Sequence, residues 1–364
     1  MEKELKIPFY AKAALISIGL FAFVYTMYLG QDIIIPVVFG TIIAILLNPF
    51  VNYLMGKRIN KVVSITIAVT LTILLVVGVF YVVSSQVTMF SETWPLLKAK
   101  FATSSNEFVH WISEKFNIRV SKINAWTKET QSDAIDNFEL GQRLTQVGGM
   151  LLTLILLPIY LFMILYYKPL LLNFIRMLFH KEHHTVVEEI LFKTKKIIQT
   201  YLVGLFFEMV IVAVLNSVGL LLLGIDYAII LGITGALLNL IPYIGGVVAV
   251  ILPAVIAFVT KESVYYPFLV VVLYAFVQLV DNNYVIPKVV ASRVKINALI
   301  SVIVLLIGGA IWGVAGMFLS IPLTAILKVV FDHIEPMKPW GFLLGNMVPT
   351  ARKPLLKQKA ADTE

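Results

Sequence analysis

The sequence predicts an all-α polytopic membrane protein. It should have about six spanning helices and two opposed re-entrant helical hairpins, or eight membrane segments in all. Three observations lead there. Hydrophobic residues make up 59% of the 364 residues and charged ones only 14%, with a mean hydropathy of +0.91. Soluble domains carry about 25% charged residues, so such a chain needs lipid as its solvent. Two late apolar segments are too long for one crossing and broken at mid-length. Lysine and arginine gather in alternate loops.

The spans follow in order. Lys3, Lys6 and Lys12 precede span one, Ala13 to Leu29. Gln31 and Asp32 mark an outer loop. Span two is Ile33 to Met55, with Asn48-Pro49 as a helix-end pair, and Lys57, Arg58 and Lys61 close an inner turn. Span three is Val62 to Val83. Ser84 to Val147 is polar and charge-balanced, with Phe108, Trp111, Ile112 and Phe116 at helical spacing, and reads as a small helical extracytoplasmic domain. Its roughly 60 residues are marginal for an independent core, so it should pack on the membrane part or on neighbouring subunits. Span four, Gly148 to Tyr167, carries Pro158. The inner segment Lys168 to Thr200 reads as an amphipathic surface helix. Its His180, His183 and His184 lack a fourth ligand and read as a solvated loop rather than a metal site. Span five is Tyr201 to Leu223 and span six Pro267 to Val280.

The first long apolar segment, Tyr227 to Val259, would be about 50 Å long as one helix, against a hydrocarbon core of about 30 Å. Its centre reads Asn239-Leu240-Ile241-Pro242-Tyr243-Ile244-Gly245-Gly246. The second, Ala298 to Val329, breaks at Gly308-Gly309-Ala310-Ile311-Trp312-Gly313. Tyr243 precedes Pro253 by ten residues and Trp312 precedes Pro322 by ten, and each unit follows an apolar helix. Helix-plus-hairpin therefore occurs twice, a plan that transporters use to build a midplane site. The alternative is a pair of ordinary kinked helices, or two true double crossings. The domains read as 1–83, three N-terminal membrane helices; 84–147, the outer domain; 148–200, span four and the inner segment; 201–330, the transport core; and 331–364, a basic inner tail.

The charges agree with this arrangement. Inner segments hold 21 Lys and Arg against 9 Asp and Glu; outer segments hold 8 against 10. That bias is the positive-inside pattern, so the net charge of +8 speaks for topology and not for nucleic acid. Both termini should be cytoplasmic. With no cysteine, disulfides and thiolate metal sites are excluded. No cofactor is expected, and no cleavable signal is evident.

Polar groups at membrane depth are the candidate pathway. Glu208 lies mid-span, with Asn216 near the same helix face. Gln278, Asp281, Asn282 and Asn283 form the densest polar cluster in an apolar region, and Pro287 should end the helix at Ile286. The blander reading makes these structural carboxylates and satisfied helix-end amides. Asn239, Pro242, Tyr243, Gly245, Gly246, Gly308, Gly309 and Trp312 join them through the two breaks. Export of a small polar molecule would use the amides and hydroxyls. Cation/proton exchange would use Asp281 or Glu208. A non-transporting scaffold would not need the glycine-rich breaks. Neither a nucleophile–base pair nor a phosphate loop points to an enzyme.

The hairpin run Asn239 to Gly246 resembles the autoinducer-2 exporter family. So do Gln278 to Asn282 with Pro287-Lys288, Gly308-Gly309 with Trp312 to Met317, and Ile321-Pro322-Leu323-Thr324. The likeness covers most of the chain and is most specific in its C-terminal half. Family members often carry Gly where this chain has Ala291, and a His-Pro pair near Asn297-Ala298. The resemblance implies a bacterial cytoplasmic-membrane transporter, a homo-oligomer, with autoinducer-2 export or sodium/proton antiport as its activity.

The topology is testable because the chain lacks cysteine. With Ser105→Cys and Thr185→Cys made singly, an impermeant thiol reagent on whole cells should label position 105 and not 185. The reverse pattern would invert the arrangement.

Overall fold

The computed structural model describes residues 8–116, 147–241, 245–263, 265–290 and 296–345. Seven of its helices are long and apolar enough to cross a membrane. Its exterior is apolar, with Phe206, Phe207, Val210 and Val214 exposed along one helix face. Its interior holds Asn48, Ser64, Glu208, Asn216, Asp281, Ser320 and Thr324. Lipid tolerates that apolar exterior; water would not.

Helix α1 (Phe9–Leu29) meets α2 (Gln31–Gly56) at Gly30, whose N–H donates to the Thr26 carbonyl at 2.9 Å. The expected outer loop is thus a single-residue joint, and Asp32 lies in the first turn of α2, where the helix dipole favours a negative charge. Helix α3 runs unbroken from Lys61 to Phe116, about 84 Å at 1.5 Å per residue. The expected outer domain therefore begins as a continuation of span three. Lys100 Nζ, beyond the apolar half of α3, donates to the carbonyls of Val259 (3.3 Å) and Lys261 (2.5 Å), which ties that half to the membrane part. Residues 117–146 and the tail 346–364 lie outside the described residues.

Helix α4 spans Val147–Met177 and passes through Pro158 and Pro169. Helix α5 spans His184–Leu222. The separate surface helix expected before span five is instead the first part of α5. From His184 to Val203 there is no Gly or Pro, so nothing in the chain stops the helix at the membrane boundary.

Helices α6 (Ala228–Asn239) and α7 (Gly245–Thr260) form the first hairpin. Its tip, Pro242 to Ile244, lies outside the described residues. Helix α8 (Tyr265–Val280) continues into a π-helical segment, Asp281–Val290. Pro287 was expected to end the helix there. Widening to the π register carries the chain past it, with the Asn283 side-chain amide donating to the Leu279 carbonyl at 2.8 Å.

Helix α9 (Ala298–His333) is continuous only in name. Trp312 (φ −128°) and Gly313 (φ 59°, ψ −140°) leave helical geometry. The second value lies where only glycine is comfortable. Ser320 Oγ sits 2.8 Å from the Val304 carbonyl and 2.6 Å from the Gly316 carbonyl. In a straight helix residues 304 and 320 would stand about 24 Å apart. The chain therefore folds back on itself, a second helical hairpin. Asn297 caps its start, accepting from the Ile300 N–H at 2.8 Å and donating to the Leu343 carbonyl at 2.7 Å. That second bond folds α10 (Lys338–Leu344), the first part of the expected tail, back against the entry to the hairpin.

Two packed units result. Ala44, Val51, Ile65, Ala68, Leu161 and Leu165 join α2, α3 and α4. Leu220, Leu231, Ala249, Ile256, Val270 and Tyr274 join α5 to α8. Ile42, Ile198 and Leu319 bridge the units through α2, α5 and α9.

The arms of the second hairpin cross at Gly308 and Gly316. A Cβ on either would fall on the other's carbonyl. Gly316→Val should lower stability by about 1–3 kcal/mol or more, the cost of forcing extra volume into a packed core. A thermal unfolding scan in detergent measures it; Gly78→Val, in open space, should change it little.

Candidate functional site

Helix α5 sets one wall of the site. Its buried residues Tyr201, Leu205, Glu208, Val212, Asn216 and Gly219 recur every three or four positions, so one stripe faces the protein. Glu208 and Asn216 lie on that stripe, as the sequence predicts. Helix α6 packs closely on α5, because a Cβ at Gly232 would run into the Ser217 backbone at 2.5 Å. Small residues at four-residue-or-less spacing serve this purpose in lipid, where close backbone packing holds helices together.

Helix α6 ends at Asn239, whose Nδ2 donates to Asp281 Oδ2 at 2.9 Å. Asp281 is fully buried at the start of the π-helical segment. Gly245 and Gly246 open α7 directly beside it. A Cβ on Gly245 would fall on the Leu238 carbonyl and lie 2.8 Å from Asn239 Cα. A Cβ on Gly246 would collide with Gln278 Oε1 and lie 3.3 Å from Asn239 Oδ1. Close approach, not an unusual φ, is what these two glycines provide. Asn239, Gly246, Gln278 and Asp281 thus converge at the first hairpin's turn.

Glu208 and Asp281 are both buried carboxylates. Among the described residues, neither has an ion-pair partner. Buried charges normally do, because leaving one unpaired in a low dielectric is costly. Among the described residues, Asp281 Oδ1 has no hydrogen-bond partner, nor have Asn216 Oδ1, Thr234 Oγ1 and the Tyr274 hydroxyl. Tyr274 and Asn216 both flank Gly235: a Cβ there would lie 2.9 Å from Tyr274 Oη and 3.3 Å from Asn216 Nδ2. Unpaired oxygens thus lie on α5, α6, α8 and the start of the π-helical segment. Such a set can accept a proton, a hard cation, or the hydroxyls of a small solute.

Other candidates stand apart. Asn282 and Asn283 are exposed; the Asn283 amide is spent on its own helix, and Asn282 only approaches Gln278 Nε2 at 3.4 Å. A helix turns about 100° per residue, so Asn282 and Asn283 leave the Asp281 face at once, and Asn282 shares the face of Gln278 instead. Pro242 and Tyr243 fall outside the described residues. Gly308, Gly309 and Trp312 belong to the second hairpin, where the Trp312 indole donates to the Met27 carbonyl of α1 at 2.9 Å. That hairpin reaches the first through apolar contact: Leu240, Phe318 and Ile321 pack on Tyr201 and Leu205.

Sequence reasoning passed over Thr234 and Tyr274. Tyr274 was findable, since it lies four residues before Gln278 and seven before Asp281, on the same stripe.

The comparisons agree with this architecture. The model of the AI-2E transporter family matches residues 17–335. The AI-2 transport protein TqsA of Escherichia coli K12 is 24% identical over 87% of this chain and 91% of its own length. YhhT of the same strain, whose name assigns it provisionally to transport, is 24% identical over 90% of this chain and 92% of its own. YrrI of Bacillus subtilis 168, named in the same way, is 24% identical over 85% and 88%. With a family match over most of its length, this chain belongs to the AI-2E family of membrane transporters.

Proposed function

We propose that the protein exports a small polar molecule, similar to autoinducer-2, through a site at the turn of the first hairpin. One observation carries this reading: a buried Asp281 with an unpartnered Oδ1, held by Asn239 between Gln278 and Gly246. A relative named for AI-2 transport supports the cargo class. Helix breaks at membrane depth are tolerated where they are buried or line a wet cavity, which suits hairpins that re-enter from opposite sides. In this reading the protein is a homo-oligomer in the bacterial cytoplasmic membrane, with both termini inside. Asn239 and Gln278 supply amides to the cargo.

A second reading is sodium or other cation exchange against protons. The two carboxylates without an ion-pair partner favour it specifically, since they and Asn216 Oδ1 are acceptors suited to a hard cation.

Flux into proteoliposomes under imposed proton and sodium gradients separates the readings. In the export reading, Asp281→Asn keeps substantial solute flux, because an amide oxygen still accepts from Asn239. In the exchange reading, the same variant loses pH-dependent sodium flux, and Glu208→Gln weakens it. Robust sodium/proton exchange in the parent, lost in Asp281→Asn, overturns export. Gly246→Val should reduce either flux at least about tenfold while insertion stays normal, because its methyls displace Gln278. Normal flux in that variant removes the site from the hairpin turn.

A further inference from the structure

A cavity of about 840 Å³ lies between α2, α4, α5 and the returning arm of α9, away from Asp281. That volume is in the range of small-molecule pockets. Its body is apolar, with Ile42, Leu172, Ile198 and Leu323 on its walls. Its charged lining is Lys168, Arg176, Lys195 and Glu188. Arg176 is paired with Glu188 at 3.1 Å. Lys168 and Lys195 have no carboxylate partner among the described residues.

Lys168 is half-buried, and its ammonium donates to the Oδ1 of buried Asn48 at 2.8 Å. An ammonium has three donors, so two remain. The charges of Lys195 and Lys61 both act on it. Lys61 itself is bound to the Tyr166 carbonyl at 2.8 Å, which fixes it nearby. Lys168 and Lys195 thus put two cations without a carboxylate partner among the described residues on the wall of an apolar hollow, where Glu188 is taken by Arg176. Like charges held together raise the energy of the empty site and favour whatever anion fills it. Basic pockets between membrane helices are suited to acidic lipid headgroups.

We infer that this cavity holds one anionic phospholipid, its phosphate on Lys168 and Lys195 and an acyl chain among Ile42, Ile198 and Leu323. The lipid stands where the α2–α4 unit meets α5 and α9, so it fills the seam between the two packed units. The inference does not depend on the cargo.

The test uses the full chain, purified and stripped of lipid in mild detergent. Phosphatidylglycerol and phosphatidylcholine with identical chains are added separately. Retained lipid is counted by native mass spectrometry, and the unfolding temperature is recorded. Phosphatidylglycerol should be retained and should raise the unfolding temperature; phosphatidylcholine should do neither. The double change Lys168→Gln with Lys195→Gln should cut phosphatidylglycerol retention about tenfold. Lys57→Gln, at the exposed inner turn, should leave it unchanged. Thr41→Trp puts a bulky ring on the cavity wall and keeps both lysines, and it too should lower phosphatidylglycerol retention. Equal retention of the two lipids overturns the inference. So does undiminished phosphatidylglycerol in either cavity variant, or equal stabilisation by glycerol phosphate alone.

Discussion

Everything in this fold depends on how the backbone is satisfied where a helix breaks inside an apolar environment. Lipid offers no hydrogen bonds, so each break needs an internal partner. The second hairpin shows the solution clearly. Its arms approach at Gly308 and Gly316 until their backbones touch, and the Ser320 hydroxyl is shared between the Val304 and Gly316 carbonyls. Thr324 repeats the device one turn later, donating to the Ser320 carbonyl at 2.7 Å. Small residues bring the arms together, and hydroxyls quiet the carbonyls that the turn exposes.

The polar site inherits its position from the same constraint. Asn239, the last residue of α6, reaches Asp281, and α7 begins against that same helix end at Gly245. Gly246 then lets Gln278 come in from α8. Closing the hairpin and assembling the site are one event. The Gly232 contact with Ser217 sets the depth of α6 on α5.

Much of this was legible in sequence, and the failures share one cause. The two breaks, the buried stripe of α5 and the convergence of Asn239, Gln278 and Asp281 follow from glycine placement and periodicity. Element ends do not. Hydropathy marks where lipid stops, but a helix stops only where the chain supplies a cap, a glycine or a proline. Nothing between His184 and Val203 does so, and α5 runs from charged to apolar sequence without a break. Helix α3 crosses the other boundary in the same way. Asn282 and Asn283 follow Asp281 directly, and a helix turns successive residues onto different faces, so a dense polar run need not share one wall. No local signal distinguishes a proline that ends a helix from one that widens it.

The unpaired oxygens set the energetic logic of the site. Most buried polar atoms in a folded protein have a partner, since leaving one bare costs about 1–3 kcal/mol. Here four lie on α5, α6, α8 and the π-helical segment, one of them on Asp281 itself, and neither Asp281 nor Glu208 has a countercharge among the described residues. A core that only needed to be stable would replace them with apolar side chains of similar shape. Their cost is recovered when something fills the space: a proton on one carboxylate, a cation among the oxygens, or a solute that brings hydroxyl donors. Each occupant changes the charge or the hydrogen bonding that holds α6 against the start of the π segment. In the proposed reading, the Asn239–Asp281 bond would couple occupancy to hairpin position, as a carrier needs between its cargo and its moving parts.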